Sequence, residues 1–183
     1  KSDILVFAGN MVDRHLSYRW RQFFERSFYN THQPVMKGKQ MAFLISGPFT
    51  HFANLFEVIT GYAQWQEANL VDVISDESTD SANLDHQISS LAKRIVIASV
   101  TDYKKPCDFH GIGGNLIERE YIYGLLRYVF IADHKYYKNK NMYNFPTKMW
   151  KMRLINFFLC NIFKIHWIRG LFEKKIIHRM VRP

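Results

Sequence analysis

The sequence predicts an α/β domain whose parallel sheet is covered by helices on both faces. Two continuous apolar runs, at residues 4–8 and 41–45, lack the polar alternation of a half-exposed strand, and a third run, at residues 70–74, is interrupted only by Asp72. Such runs are typical of strands that are buried on both sides. A segment with helical spacing of apolar residues follows each run. The resulting order, strand then helix three times over, favours parallel pairing through helical crossovers.

The first strand ends where Gly9 and Asn10 break the apolar run, and residues 11–15 are predicted to form a loop. A helix follows, because five apolar residues recur on one helix face: Leu16, Trp20, Phe23, Phe24 and Phe28. The loop therefore leaves the carboxyl end of a strand, where open α/β sheets bind their ligands.

The second and third strands end in similar breaks. The segment 46–49, Ser-Gly-Pro-Phe, follows the second strand, and the polar cluster 75–81 follows the third. Helical spacing then resumes in both cases. The last of these helices is predicted to be capped at Asn83 or Asp85 and to run to about residue 101.

Residues 4–8 have the composition of an inner strand, yet a sheet made of three strands leaves one apolar run at an edge. Long apolar edges invite pairing with other chains. We therefore expect that one or two upstream strands of the natural fold are missing from this sequence or are supplied by another segment.

Composition divides the chain into an α/β core, residues 1–105, and a mostly helical basic extension, residues 106–183. Residues 1–134 contain 13 Lys and Arg against 15 Asp and Glu, whereas residues 135–183 contain 12 Lys and Arg and a single acidic residue, Glu173. The net charge of +9 therefore belongs to the extension and says little about partners of the core.

Within the extension, residues 106–115 are predicted to be a glycine-containing loop, residues 116–131 a helix and residues 134–145 a polar connector. Residues 147–181 are predicted to form one or two basic helices, broken near Gly170. Their apolar stretch is too short to span a bilayer.

Three roles stay open for residues 149–181. They could pack on the chain's own domain, lie on an anionic membrane surface, or dock a partner protein. The sequence contains no recognition motif for nucleic acid, so nucleic acid is not an expected partner.

Residue types that often carry catalysis or bind metal form no constellation. Cys107 and Cys160 lie far apart and outside any zinc-ligand spacing, which predicts reduced thiols and a cytoplasmic protein. The histidines are scattered over different predicted elements, so no metal site is expected. Cys107 lies near Asp108 and His110, but no third group that would orient a base is identifiable.

One segment resembles a known family. A strand, a loop with a small polar residue at Ser17, and a helix that ends in Phe23-Phe24-Glu25-Arg26 resemble the flavin loop of flavodoxin-like NAD(P)H-dependent FMN reductases. The segment 46–49 is similar to the second flavin loop of that family, and residues 111–146 to a C-terminal extension in a subset of such oxidoreductases. Residues 9–12 depart from the family pattern, having neither its proline nor its aromatic residue.

The resemblance implies a flavodoxin-like three-layer α/β/α fold and a flavin-dependent oxidoreductase domain that moves electrons between NAD(P)H, FMN and an unidentified acceptor. A small-molecule substrate and a homodimer are expected on the same basis. The flavin ring would lie between the two loops, and nine residues are candidates for binding it: Gly9, Asn10, Met11, Val12, Ser17, Ser46, Gly47, Pro48 and Phe49. No catalytic side chain is assigned, because the flavin carries the chemistry.

The family's phosphate-binding loop has no counterpart in this sequence. A rival hypothesis is therefore a non-catalytic flavodoxin-like docking or dimerisation module with a degenerate flavin site. Arg14 and His15 could offset the charge of a reduced flavin, but solvated charges in an ordinary turn are the simpler interpretation.

Overall fold

The computed structural model describes residues 2–27, 30, 32–78, 80–144 and 150–180. The chain divides into two compact units, Lys1–Gly114 and Asn115–Pro183. The first is called the sheet unit below and the second the helical unit.

The sheet unit is mixed α/β and contains a four-stranded sheet with the order β2-β1-β3-β4. Its elements in chain order are β1 (Ile4–Val12), β2 (His15–Leu16), α1 (Tyr18–Ser27), β3 (Gln40–Ser46), α2 (Ala53–Trp65), β4 (Asn69–Ser75) and α3 (Ser81–Val100). The strand β3 pairs in parallel with both β1 and β4, as predicted. The short β2 pairs with β1 in antiparallel orientation.

One face of the sheet carries an aromatic core against α1 and α2. The rings of Phe7 and Phe43 stack at 5.0 Å, and Trp20 of α1 lies 5.6 Å from Phe43. From α2, Leu55 and Ile59 are fully buried in the same cluster. Burial of apolar surface stabilises the packing on this face, and the large aromatic side chains bury the most surface.

The other face is covered by α3, whose Leu91 and Ile95 pack on Ala42 of β3 and Ile74 of β4. The Asp80 carboxylate caps this helix by accepting a hydrogen bond from Ala82 N at 3.0 Å. The predicted caps, Asn83 and Asp85, lie inside the helix instead. Helices thus flank the sheet on both faces, as the apolar runs predict.

The prediction for the first strand was wrong in two respects. The strand continues past Gly9 to Val12, and a two-residue turn with positive φ at Asp13 (50°) and Arg14 (64°) folds the chain back into β2. The strand is also not buried on both faces, because Val6 is 54% exposed. Only Ile4 of β1 joins the cluster under α3, which packs on β3 and β4.

The outer edge of β1 is paired only where β2 meets Met11 and Val12. Within the described part of the chain, the rest of β1 pairs with β3 on one side and with no strand on the other. The strand β1, which has the composition of an inner strand, therefore lies near the edge of the sheet.

The helical unit contains the end of α4 (Phe109–Tyr121), a π-helical turn at Ile122–Leu126, α5 (Ile131–Asn139), α6 (Trp150–Ile162) and α7 (His166–Met180). Two predictions were wrong here. The predicted loop 106–115 contains the first turns of α4, and the predicted connector 134–145 contains most of α5. The last two helices are confirmed, but they are separated at residues 163–165 and not at Gly170.

Candidate functional site

The carboxyl ends of three neighbouring strands place polar side chains in a row. Asn10 of β1 is in register with Ser46 of β3, and Ile45 of β3 is in register with Ser75 of β4. Two loops leave this edge: the turn 13–14 after β1, and the segment 46–51 after β3. We call this region the carboxyl edge. It is where open α/β sheets bind ligands.

The segment after β3 is fastened to the end of β4 by hydrogen bonds. Gly47 N–H donates to Asp76 Oδ1 at 2.7 Å, and Ser75 Oγ donates to the Gly47 carbonyl at 2.8 Å. Thr50 N–H donates to the Glu77 carboxylate, with its two oxygens at 3.1 and 3.2 Å. Two backbone amides of this segment are therefore already engaged by carboxylates.

Both carboxylates are held in the ionised form. Hydrogen bonds from the Ser46 side chain and from Gly47 N–H lower the pKa of Asp76. Burial acts to raise the pKa of Glu77, but hydrogen bonds from Thr50 and Ser75 and the nearby His51 leave it below its ordinary value. The carboxyl edge consequently carries two negative charges at the ends of β3 and β4.

Met11 and Gly47 bring the two predicted loops together. Gly47 has φ +125°, a conformation that L side chains rarely adopt, and a Cβ built on it would lie 3.0 Å from Met11 Cβ. The Met11 side chain therefore occupies the space over this glycine. The contact places both predicted loops side by side.

Three of the nine predicted residues point into the sheet unit. A Cβ on Gly9 would lie 2.0 Å from Trp20 Nε1, so this glycine makes room for the indole. Ser17 is buried, and its N–H donates to the Asn10 carbonyl at 3.1 Å. Phe49 is 6% exposed and has its ring 6.4 Å from Phe56.

The other six predicted residues lie at the carboxyl edge. Val12 is 56% exposed, and Asn10, Ser46 and Pro48 are exposed as well. Met11 and Gly47 are half-buried against each other.

A cavity of about 330 Å³ opens beside β1 and α1. Its walls include the predicted residues Gly9, Asn10 and Ser17, together with Arg19 and Trp20. Asn10 thus belongs to both the carboxyl edge and this cavity, and the indole of Trp20 gives the cavity an apolar wall.

Ser75, Asp76 and Glu77 are the functional candidates that the sequence reasoning missed. The signal was present, since a polar cluster follows the third strand directly. The cluster marks the end of the predicted strand, and the rule that selects residues 46–49 selects it as well.

Where the structure describes them, the remaining candidates of the sheet unit form no second centre. Arg14 is exposed in its turn, and His15 Nδ1 lies 3.3 Å from the Leu16 carbonyl. Cys107 is exposed, and Asp108 accepts a hydrogen bond from Gly111 N–H at 3.2 Å. Among the described residues, no group of three or more His, Cys, Asp or Glu is arranged to hold a metal ion.

Comparisons with protein-family models, curated proteins and solved structures each gave no match. None of the described helices combines the length and the apolar content that crossing a bilayer requires.

Proposed function

We propose that the sheet unit is a flavodoxin-like, flavin-dependent oxidoreductase domain that binds FMN at the carboxyl edge. NAD(P)H would supply electrons to an acceptor that is not identified, and a small-molecule substrate is expected. The observation that carries the proposal is the contact between Met11 and Gly47, because it brings together the two loops that resemble flavin loops. The location agrees with the general rule for ligands of parallel sheets.

The exposed residues of the edge fit the ring of a flavin. A flat, largely apolar ring with polar groups at its rim needs apolar contacts and hydrogen-bonding groups in one place. Met11 and Val12 offer apolar surface, and Asn10 and Ser46 offer polar groups one strand apart. When bound, FMN supplies the electron-transfer chemistry. The chain's own residues would hold the ring and position it at the edge of the sheet.

The same edge does not fit the phosphate of FMN. Anion sites use backbone N–H groups that have no other partner. Here the Gly47 and Thr50 amides donate to Asp76 and Glu77, and these carboxylates repel a phosphate. A phosphate contact at this edge would therefore have to compete with both carboxylates.

This disagreement favours a second candidate function. A non-catalytic flavodoxin-like module for docking or dimerisation needs no phosphate site. In such a module, Asp76 and Glu77 would serve only to fasten the segment 46–51, and the Met11 side chain would fill the space over Gly47.

Titration of FMN into the purified chain, read by flavin fluorescence, separates the two. We expect Asn10→Ala to raise the Kd for FMN tenfold or more, which corresponds to about 1.4 kcal/mol. Gly47→Val and Gly9→Val are both unsuitable. The first would force a valine into φ +125° against Met11, and the second would displace Trp20.

Asp76→Asn provides the sharper variant. It removes one negative charge while keeping an oxygen that accepts from Gly47 N–H. If the edge binds the whole cofactor, this variant should bind FMN more tightly and leave riboflavin, which lacks the phosphate, unchanged. A folded wild-type chain that binds neither FMN nor riboflavin would overturn the flavin proposal and favour the docking module.

A further inference from the structure

The helices α6 and α7 expose large apolar side chains to solvent. Trp150 is 66% exposed at the start of α6, and Trp167 is 72% exposed in α7. Between them, Leu154, Phe157 and Phe158 are exposed by 58–63%. Single exposed apolar residues are common, but a group of this density marks an interaction surface. We call the exposed part of residues 150–175 the tail surface.

The apolar residues of α6 face outward because a different face of the helix packs on the rest of the helical unit. Asn156 is 1% exposed, and its Nδ2 donates to the Gly124 carbonyl of the π-helical turn. Met152 and Leu159, which share a helix face with Asn156, are half-buried. The exposed residues Leu154, Phe157 and Phe158 lie away from this inner face, so the packing of the helix on its own unit leaves them uncovered.

Positive charge is interleaved with these apolar residues. Residues 150–175 contain six basic residues and one acidic residue, a net charge of +5. The Lys151 ammonium lies 5.7 Å from the centre of the Trp150 ring. Lys174 and Lys175 are exposed one turn after Leu171. The surface therefore combines exposed indole rings with cations.

We propose that the tail surface binds the surface of an anionic membrane, with α6 and α7 lying at the interface. Apolar and aromatic side chains enter the boundary between headgroups and acyl chains, and Lys and Arg attract anionic headgroups. Tryptophan is favoured at that depth because its ring is apolar and its N–H is polar. The proposal concerns the helical unit alone and is independent of whether the sheet unit binds FMN.

Charge distinguishes this occupant from an apolar protein partner. The centre of a protein interface is depleted in charged residues, and lysine is disfavoured there. On the tail surface the cations are spread along the apolar residues, from Lys151 through Lys164 to Lys175. An anionic lipid surface is complementary to both features at once.

Aromatic and basic side chains also lie together near the turn between α6 and α7. A cavity of about 480 Å³ is lined by the rings of Tyr128, Phe163 and Phe172 and by Lys135 and Arg169. Phe163 is 5.1 Å from Tyr128 and 4.9 Å from Phe172, measured between ring centres. Aromatic walls and two cations suit the same kind of amphipathic anion.

The test is co-sedimentation of the full chain with vesicles of phosphatidylcholine, with and without phosphatidylglycerol. We expect binding only to the vesicles that contain phosphatidylglycerol, weakening steeply as salt rises. The double variant Lys174→Glu with Lys175→Glu, and the double variant Phe157→Ser with Phe158→Ser, should each lower the partition coefficient tenfold or more.

Matched controls come from the sheet unit. Arg21→Glu with Lys93→Glu reverses two exposed charges, and Tyr18→Ser removes a side chain that is 65% exposed. These variants should bind within twofold of the wild type. Brominated lipids should quench the fluorescence of the wild type and much less that of Trp150→Phe with Trp167→Phe.

Four results would overturn the proposal. They are equal binding, or no binding, to neutral and anionic vesicles; equal losses in the tail and control variants; sedimentation of the chain without vesicles; and loss of binding in the phenylalanine variant with no effect of charge or salt. The last result would mean that apolar insertion alone holds the chain on the vesicles. No binding of the folded chain to either kind of vesicle would favour a protein partner. Far-UV circular dichroism of each variant confirms that the helices remain folded.

Discussion

The two units treat their aromatic residues in opposite ways. In the sheet unit, Phe7, Trp20 and Phe43 contact one another inside the core, with ring centres 5.0–6.3 Å apart. In the helical unit, Phe157 and Phe158 contact each other at 5.7 Å yet remain about 60% exposed. The residue types are the same. Only in the sheet unit do an apolar sheet face on one side and the helices α1 and α2 on the other cover the rings.

The difference shows that apolar content alone does not indicate a core. The exposed rings of α6 are as costly to leave in water as the rings under α1, at about 25 cal/mol for each Å² of apolar surface. A structure that retains such a surface is suited to covering it with something else.

The largest expected effect comes from truncating one ring in each unit. Phe43 is fully buried between Phe7 and Trp20, so Phe43→Ala should lower the free energy of unfolding by about 3–5 kcal/mol. Phe157 is 63% exposed, so Phe157→Ala should change it by no more than about 0.5 kcal/mol. Urea unfolding, followed by far-UV circular dichroism, measures both.

Similar losses in the free energy of unfolding for the two variants would contradict the difference between the units, because they would mean that Phe157 is buried in the folded chain. A loss for Phe43→Ala far below the expected range would mean that the aromatic core relaxes around the space that the ring leaves.

Much of the sheet unit could be predicted from the sequence, because its parallel strands are mostly apolar and each is followed by a segment with helical spacing of apolar residues. The hairpin at the end of β1 could not, because Asp13-Arg14 lacks the glycine that usually marks such a turn. The start of α4 was missed for the opposite reason. Its glycines suggested a loop, but a Cβ on Gly111 would lie 2.0 Å from Gln64 Oε1, and one on Gly114 would lie 2.6 Å from Trp65 Nε1. These glycines permit close packing inside a helix, which local sequence does not reveal.

The candidate site was predictable where it depends on strand ends. Asn10 and Ser46 were located because each follows an apolar run, and their strands are neighbours in the sheet. The inward direction of Phe49 could not be deduced, since it depends on the ring of Phe56 across the loop. The engagement of the Gly47 amide by Asp76 depends on a residue 29 positions away and is a tertiary contact.

A second, smaller effect sharpens the comparison, because the helical unit also buries a polar group. His134 Nδ1 lies 2.9 Å from the Tyr143 hydroxyl, and the two rings stack at 5.5 Å. Burial, with Arg127 and Lys138 nearby, lowers the pKa of His134 from 6.5 to about 4. Burial also raises the pKa of Tyr143 to about 12. Both side chains are therefore neutral at neutral pH.

The sign of the pH effect follows from the direction of the shift. Below pH 6.5 the unfolded chain binds a proton on this imidazole, whereas the folded chain does not until the pH approaches 4. The contribution of His134 to the free energy of unfolding is thus complete above pH 6.5 and is lost as the pH falls towards 4, by roughly 1–2 kcal/mol after allowance for its partial exposure.

His134→Phe keeps the stack and removes the titration. Its urea-unfolding midpoint should fall less than that of the wild type between pH 6.5 and 4. Lys138→Gln is the companion variant, because removing that charge should raise the pKa of His134 towards 6.5 and so make the loss of stability between pH 6.5 and 4 smaller than in the wild type. Parallel pH profiles for wild type and His134→Phe would contradict the assignment.

The smallest effect concerns a residue of the sheet unit in a locally unfavourable backbone conformation. Arg14 has φ +64° in the turn between β1 and β2, a conformation that costs an L residue about 1–2 kcal/mol. Arg14→Gly creates Asp-Gly, which suits a turn with positive φ at both positions. The net gain in the free energy of unfolding should be about 1 kcal/mol or less, because glycine also adds freedom to the unfolded chain.

Arg14→Ala separates backbone strain from charge, since alanine removes the guanidinium but keeps the cost of positive φ. We expect Arg14→Gly to raise the urea midpoint and Arg14→Ala to leave it unchanged or slightly lower. Equal gains in both variants would mean that the charge of Arg14, and not its backbone, is unfavourable. If the gain occurs for glycine alone, the turn retains arginine at a cost in stability, which is the behaviour expected of a residue kept for binding at the carboxyl edge.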